Sequence, residues 1–250
     1  MKILFKQKQW IVMQVIFVIL GIMIGIMGFL NERDFKTSTG GLASSIQMVA
    51  GNGSISVFFM LLSDLVFNVE YVQGTFLTSL LCGQSRRSWM FRKSVTFYLF
   101  VLLQYVIAFA VMSFTAGMIT GHFGLEGIPQ LSPDVTKIQI LRELLVTLSL
   151  SILKTLLLVS FGVMVTTMLS GKLVVGSVAS IGIVFLAAKF EVVLLHALGD
   201  NASMARLFEA IWLQDPNRAL TWICGIAAFA LFTWFSAERV RRTEIPNLGT

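Results

Sequence analysis

The sequence predicts an all-α membrane protein with six transmembrane helices, on three observations. Hydrophobic residues make up 56% of the 250-residue chain and charged residues only 13%. A soluble domain carries about 25% charged residues, so this chain has too few charges to cover a surface in water. The second observation is a series of apolar runs, because a helix needs roughly 20 apolar residues to cross the hydrocarbon core. The third is the distribution of basic residues between those runs, which orients them.

Six apolar runs predict that residues 1–250 form one transmembrane domain. The first run carries no charge, and it is too long and lacks the small-residue cleavage site of a signal peptide. The second reaches full length only if the weakly polar stretch Leu42–Ser54 joins it. The predicted spans are residues 10–30, 44–68, 94–120, 143–170, 173–190 and 218–236.

Two charged side chains fall inside predicted spans, Asp64 in the second and Lys154 in the fourth. A charge at bilayer depth is costly and usually faces a partner or a water-filled cavity. Two interpretations are therefore open for these intramembrane polar residues. They pair with each other, or they face an aqueous cavity.

The basic residues place both termini in the cytoplasm of a multi-pass cell-membrane protein. With the N-terminus inside, the inner segments hold 11 Lys and Arg residues and 3 acidic residues. The outer segments hold 7 basic and 9 acidic residues. An excess of Lys and Arg marks the cytoplasmic side of a membrane protein, so this orientation also explains the net charge of +6 without nucleic acid.

The cytoplasmic segment Glu70–Lys93 reads as a helix at the membrane surface rather than as a loop. Its apolar residues share one helical face, and Gly83 is a natural stop after them. Ser85 can then cap a new helix that carries basic residues into the third span. An ordinary cytoplasmic hairpin with anchoring arginines is the alternative. The apolar face consists of Val72, Phe76, Leu77, Leu80 and Leu81, and the basic residues are Arg86, Arg87, Arg92 and Lys93.

A second amphipathic helix is predicted on the outer side, over Asn201–Trp212. Its apolar residues recur at helical spacing, and Asp215-Pro216 closes the segment. We expect this face to lie on the bundle or in the outer leaflet, with a hypothetical role as an outer gate. The face consists of Met204, Leu207, Phe208, Ile211 and Trp212.

Catalytic and metal-binding patterns are missing from the sequence. The two histidines lie far apart, and neither Cys82 nor Cys224 has a nearby cysteine, so we expect no metal site and no disulfide. Gly171-Lys172 lacks the preceding glycine of a phosphate-binding loop. One acid and one lysine inside the membrane make a poor catalytic set. The sequence therefore indicates that the protein is not an enzyme.

The informative residues follow the second predicted span. The run Glu70-Tyr71-Val72-Gln73-Gly74-Thr75 leads to Leu80-Leu81, Gly83, Ser85-Arg86 and Lys93. This arrangement resembles the permeases of the type-2 ATP-binding-cassette exporter family, where a Glu-x-x-x-Gly-Thr pattern follows the second span. The six-span layout, the short turn between spans four and five, and the outer helical pair before span six resemble that family over the whole chain.

The resemblance implies a coupling helix that docks in a groove of a separate ATP-binding-cassette ATPase subunit. ATP and magnesium would be bound by that partner, and no cofactor is expected in this chain. The chain has the size of one bundle of such an exporter, which implies a homodimer or a heterodimer with a related permease. The ATPase-coupling residues would be Glu70, Val72, Gly74, Thr75, Phe76, Leu80, Gly83, Ser85, Arg86 and Arg87.

Small residues form two close-packing faces in the predicted spans. Gly21, Gly25 and Gly28 repeat in the first span, and Gly176 and Ser180 do so in the fifth. Small side chains let helices approach closely where lipid gives no hydrophobic drive. We assign both faces to dimer packing, with packing inside one bundle as the alternative.

The sequence thus predicts the membrane-spanning permease subunit of an ATP-driven exporter. The 21 Phe against 3 Tyr favour an apolar path, hence amphipathic peptides or other lipophilic compounds as cargo. A membrane immunity or scaffold protein that sequesters a peptide without transporting it is the alternative. An ion-coupled carrier ranks third, because such a carrier should show inverted repeats and several buried acids.

Overall fold

The protein is described from a computed structural model. The structure describes residues 85–121, 123, 137–169, 175–197, 213 and 219–242. It also describes single positions nearer the N-terminus, namely 15, 18–19, 22–23, 26, 57, 59–64 and 66–67. Within these residues the chain is helical and has no strand, as the sequence predicts. The helices with complete bounds are α1 (Arg86–Thr120), α2 (Lys137–Met168), α3 (Val175–Ala197) and α4 (Ala219–Arg242).

Three of these helices are long and apolar enough to cross a membrane. They are Arg86–Ile119 of α1, Leu141–Met168 of α2 and the whole of α4. The part of α3 searched for such spans is a shorter apolar helix, Val175–Ala187. Every described position in the first two predicted spans is also helical. These properties are those of a helical membrane protein.

Helix α1 begins and ends for local chemical reasons. The Ser85 hydroxyl accepts a hydrogen bond from the Ser88 amide at 3.3 Å, so Ser85 caps the helix as predicted. At the other end Gly121 has φ +76°, and its amide donates to the Gly117 carbonyl at 2.9 Å. A glycine adopts this left-handed conformation without the strain of a side chain. Helix α1 therefore ends at Thr120.

The helices divide into two compact units. One comprises residues 1–53 and 99–152, and the other comprises residues 54–98 and 153–250. The divisions fall inside α1 and α2, so each of these helices contributes to both units. The single transmembrane domain inferred from the sequence stays a prediction.

In the first unit, one face of α1 is buried and the opposite face is apolar and exposed. Tyr105 lies on the buried face and donates its hydroxyl to Ser151 Oγ of α2 at 2.8 Å. The exposed face has the composition expected against lipid. The other buried residues on α1 in this unit are Phe100, Val101, Gln104, Ala108, Met112, Ala116 and Gly117, and large exposed residues include Leu103, Val106, Phe114 and Met118.

Gln104 gives a first stability prediction. Its side chain is fully buried, and neither amide atom has a hydrogen-bond partner in the part of the chain that the structure describes. An unpaired buried polar group costs about 1–3 kcal/mol. We expect Gln104→Leu to raise the thermal midpoint of the purified protein in detergent, measured by fluorescence-detected size exclusion. Gln104→Glu should lower it, and a loss of stability in Gln104→Leu would show that the amide is satisfied.

In the second unit, aromatic residues join α1, α2 and α4. The Tyr98 hydroxyl lies 3.1 Å from Thr233 Oγ1, and its ring packs on Phe229 with centroids 5.1 Å apart. Phe161 of α2 meets Phe232 of α4 edge to face at 5.5 Å. At the end of α4, Glu238 accepts hydrogen bonds from Arg241 and Arg242 at 2.6 and 2.8 Å. Basic side chains there also suit the negative end of the helix dipole.

Candidate functional site

The polar centre of the second unit is Asp64, which is only 1% exposed. Its Oδ2 atom accepts a hydrogen bond from Ser177 Oγ at 2.8 Å and a longer one from the Ser177 amide at 3.3 Å. Ser177 is the third residue of α3. The carboxylate from the second predicted span therefore binds the start of the fifth, 113 residues away in sequence.

Gly176 makes this close approach possible. A Cβ atom at residue 176 would lie 2.9 Å from Thr166 Oγ1, 3.0 Å from the Thr166 Cα and 3.0 Å from Asp64 Oδ1. Carbon atoms are not tolerated at these distances without movement, and one of the three neighbours is backbone. Gly176 is thus a point of close approach between α2, α3 and Asp64.

A second glycine lets the same segment approach α2. A Cβ at Gly162 would lie 3.0 Å from Ser63 Oγ and 3.6 Å from the Met60 Cα. Ser63 is buried and donates to the Met60 carbonyl at 2.7 Å, so its hydroxyl is satisfied inside its own helix. The helical residues 59–64 are consequently held against α2 at Gly162 and against α3 at Gly176.

Lys93 of α1 contacts the end of that segment. Its Nζ donates to the Val66 carbonyl at 2.8 Å, and it lies 4.9 Å from the Phe67 ring centroid and 5.0 Å from that of Trp89. A hydrogen bond from a charged ammonium group to a carbonyl is stronger than one between neutral groups. Two aromatic rings next to an ammonium add cation–π attraction. Phe67 also packs edge to face on Phe97, with ring centroids 5.6 Å apart.

These contacts define one site, which we call the polar junction. It joins the end of the second predicted span to the third turn of α1 and to the start of α3. The role of this site is structural, because its hydrogen bonds and close backbone contacts hold the helices together. The polar junction consists of Asp64, Val66, Lys93, Thr166, Gly176 and Ser177.

Asp64 and Lys154, the two charged residues inside predicted spans, do not meet. The contacts at Gly176 place the Asp64 carboxylate beside Thr166, and Lys154 lies about 18 Å earlier along α2 at roughly 1.5 Å per residue. A lysine side chain is too short to cover that distance. The geometry therefore contradicts the interpretation that Asp64 and Lys154 pair with each other, and Ser177 donates two hydrogen bonds to Asp64.

Gly176 and Ser180 are both buried within the chain. Gly176 lies close to Thr166 and Asp64, and the Ser180 hydroxyl donates to the Gly176 carbonyl of its own helix at 2.7 Å. The assignment of these two residues to dimer packing stays a prediction. The first-span glycines Gly21, Gly25 and Gly28 lie outside the described residues.

Most of the predicted coupling residues also lie outside the described residues, namely Glu70, Val72, Gly74, Thr75, Phe76, Leu80 and Gly83. Of the rest, Ser85 caps α1, while Arg86 is half-buried and Arg87 exposed at its start. The proposed outer face lies outside the described residues as well, with Met204, Leu207, Phe208, Ile211 and Trp212.

Sequence reasoning missed Ser177 and Thr166, which lie next to Asp64 and Gly176. No signal in the sequence points to Ser177, because a serine leaves no pattern that pairs it with an aspartate 113 residues away.

No protein-family model, curated protein or solved structure matches this chain.

Proposed function

We propose that this protein is the membrane-spanning permease subunit of an ATP-driven exporter. The chain would cross the cell membrane six times with both termini in the cytoplasm. It would work as a homodimer or with a related permease, and a separate ATP-binding-cassette subunit would bind ATP and magnesium. The support is the Glu-x-x-x-Gly-Thr pattern at Glu70, the helical and apolar character of the chain, and the contacts at the polar junction.

The observation that carries the proposal is the hydrogen bond from Lys93 to the Val66 carbonyl at 2.8 Å. It joins the two ends of the stretch that contains the predicted coupling helix. The parts of the chain that precede and follow residues 68–84 therefore contact each other in the second unit. A surface helix held at both ends can pass a displacement to the helices on either side, which a lever between an ATPase and a permease requires.

Amphipathic peptides or other lipophilic compounds are the cargo that we propose. The apolar, phenylalanine-rich composition supports a path without the stacking lane that a polysaccharide would need. Cargo would move between two copies of the bundle, with first-span glycines at their contact. The outer helix would close the path on the far side.

Removal of Phe76 tests the docking of the coupling helix on an ATPase. We expect Phe76→Ala to weaken co-purification of the ATPase by about 1–3 kcal/mol, as loss of a buried aromatic anchor at an interface does. Thr78→Ala, on the polar side of the same predicted helix, is the matched control. Glu70→Ala should leave assembly intact but slow export, because Glu70 stands at the junction between span and lever.

The measurement is quantitative co-purification from one detergent extract, followed by ATP hydrolysis of the isolated complex. Equal recovery of an ATPase with Phe76→Ala and Thr78→Ala would contradict the docking. A wild-type chain that protects cells from a peptide without any ATPase would instead favour the sequestering scaffold, for which a coupling helix has no use.

A further inference from the structure

The start of α3 depends on a side chain from another part of the protein. The first amides of a helix have no partner inside the helix and are normally satisfied by a capping side chain. The four residues before Val175 offer none. The amide of Ser177 instead donates to Asp64 Oδ2 at 3.3 Å, and the Ser177 hydroxyl donates to the same atom at 2.8 Å.

Asp64 suits this task in both charge and position. A carboxylate is favourable at the positive N-terminal end of a helix. Its burial would be costly without hydrogen bonds, and the two bonds from Ser177 offset that cost. Gly176 admits the carboxylate, because any side chain there would collide with Asp64 and Thr166.

Asp64 also stands two residues before the other anchor of the same segment. Val66 is held by Lys93 of α1, and Asp64 is held by Ser177 of α3. The last residues of the second predicted span are thus bonded to the eighth residue of α1 and to the third residue of α3. The two anchored residues, Asp64 and Val66, lie just before residues 68–84 in the sequence.

We propose that Asp64 is a positioning residue that caps α3 from outside and fastens it to residues 57–67. Given the proposed function, on which this second part rests, α3 then moves together with the segment that leads into the coupling helix. A displacement produced by an ATPase at residues 68–84 would reach the start of α3 through Asp64. The two hydrogen bonds from Ser177 hold the carboxylate, and the absence of a side chain at Gly176 leaves room for it.

The distance between a spin label on residue 61 and one on residue 186 tests the fastening. Leu61 and Leu186 are exposed on the segment and on α3, and each is changed to Cys in a background with Cys82→Ser and Cys224→Ser. We expect Asp64→Ala to broaden the distance distribution about twofold, because an uncapped first turn loses its fixed direction. Asp64→Asn retains an acceptor oxygen and should stay close to the parent protein.

Ser177→Ala removes the shorter bond and decides the test if Asp64→Ala does not fold. Ser180→Ala is the matched control, because its buried hydroxyl bonds only within α3 to the Gly176 carbonyl in the contacts described. Broadening in Asp64→Ala and Ser177→Ala but not in Ser180→Ala supports the proposal. Equal widths in all three variants overturn it, whether all are narrow or all are broad.

The same labels test the transmitted motion in the complex with an ATPase. On addition of ATP and magnesium, the distance should stay constant in the parent protein and shift in Asp64→Ala. A shift in the parent protein would overturn the fastening of α3. If no ATPase co-purifies with the parent chain, the proposed function fails, while the distance widths of the isolated protein still decide the role of Asp64.

Discussion

Replacement of Gly176 by leucine is expected to have the largest effect on folding. The Cβ atom alone would come within 2.9–3.0 Å of Thr166 and Asp64 atoms, including the Thr166 Cα, so α2 and α3 must separate. Overpacking of this kind costs typically 1–3 kcal/mol and occasionally more. Separation would also break the capping bonds between Asp64 and Ser177. We expect the free energy of unfolding to fall by an amount on the order of 3 kcal/mol, at the top of that usual range.

Gly182→Leu is the matched control on the same helix. Gly182 is exposed, and a Cβ there would meet nothing within 4 Å. Glycine in a helix interior is less favourable than leucine by somewhat under about 1 kcal/mol, so this substitution should be neutral or slightly stabilising. Thermal unfolding in detergent, followed by fluorescence-detected size exclusion, measures both. Similar midpoints for the two variants would contradict the close packing at Gly176.

Replacement of Lys93 by methionine is expected to have the second largest effect. Methionine keeps most of the apolar stem but loses the hydrogen bond to the Val66 carbonyl and the cation–π contacts with Phe67 and Trp89. A hydrogen bond to a charged group contributes about 1.5–3 kcal/mol. We expect the free energy of unfolding to fall by about 2 kcal/mol. The value is not higher because Lys93 is only half-buried and solvent screens part of its charge interaction.

Limited proteolysis with trypsin provides a second measurement of the same change. Without the Lys93 contact, the start of α1 should open more often, and cleavage after Arg86 or Arg87 should become faster. Arg92→Met is the control, because Arg92 is exposed one residue earlier and its removal deletes the same charge and one trypsin site. Equal cleavage rates and equal midpoints in the two variants would show that Lys93 is an ordinary surface cation.

Part of the candidate site could be read from the sequence. The sequence singles out Asp64 because it is a charged residue inside an apolar run. It singles out Lys93 as one of the basic residues at the start of the third predicted span. Their partners could not be read, because Ser177 and the Val66 carbonyl belong to distant parts of the chain and leave no periodic pattern. A backbone carbonyl in particular has no sequence signature, since every residue carries one.

The sequence by itself determined the helical membrane class and several helix limits of this protein. Composition and apolar length are properties of the chain before it folds, and the Ser85 cap acts on an amide only three residues away. The tertiary structure decided which small residues and charges meet. It placed Gly176 next to Thr166 and Asp64, and it placed Asp64 next to Ser177 and not next to Lys154. The choice depended on how closely α2 and α3 approach, a distance that is set by packing over more than 100 residues of chain.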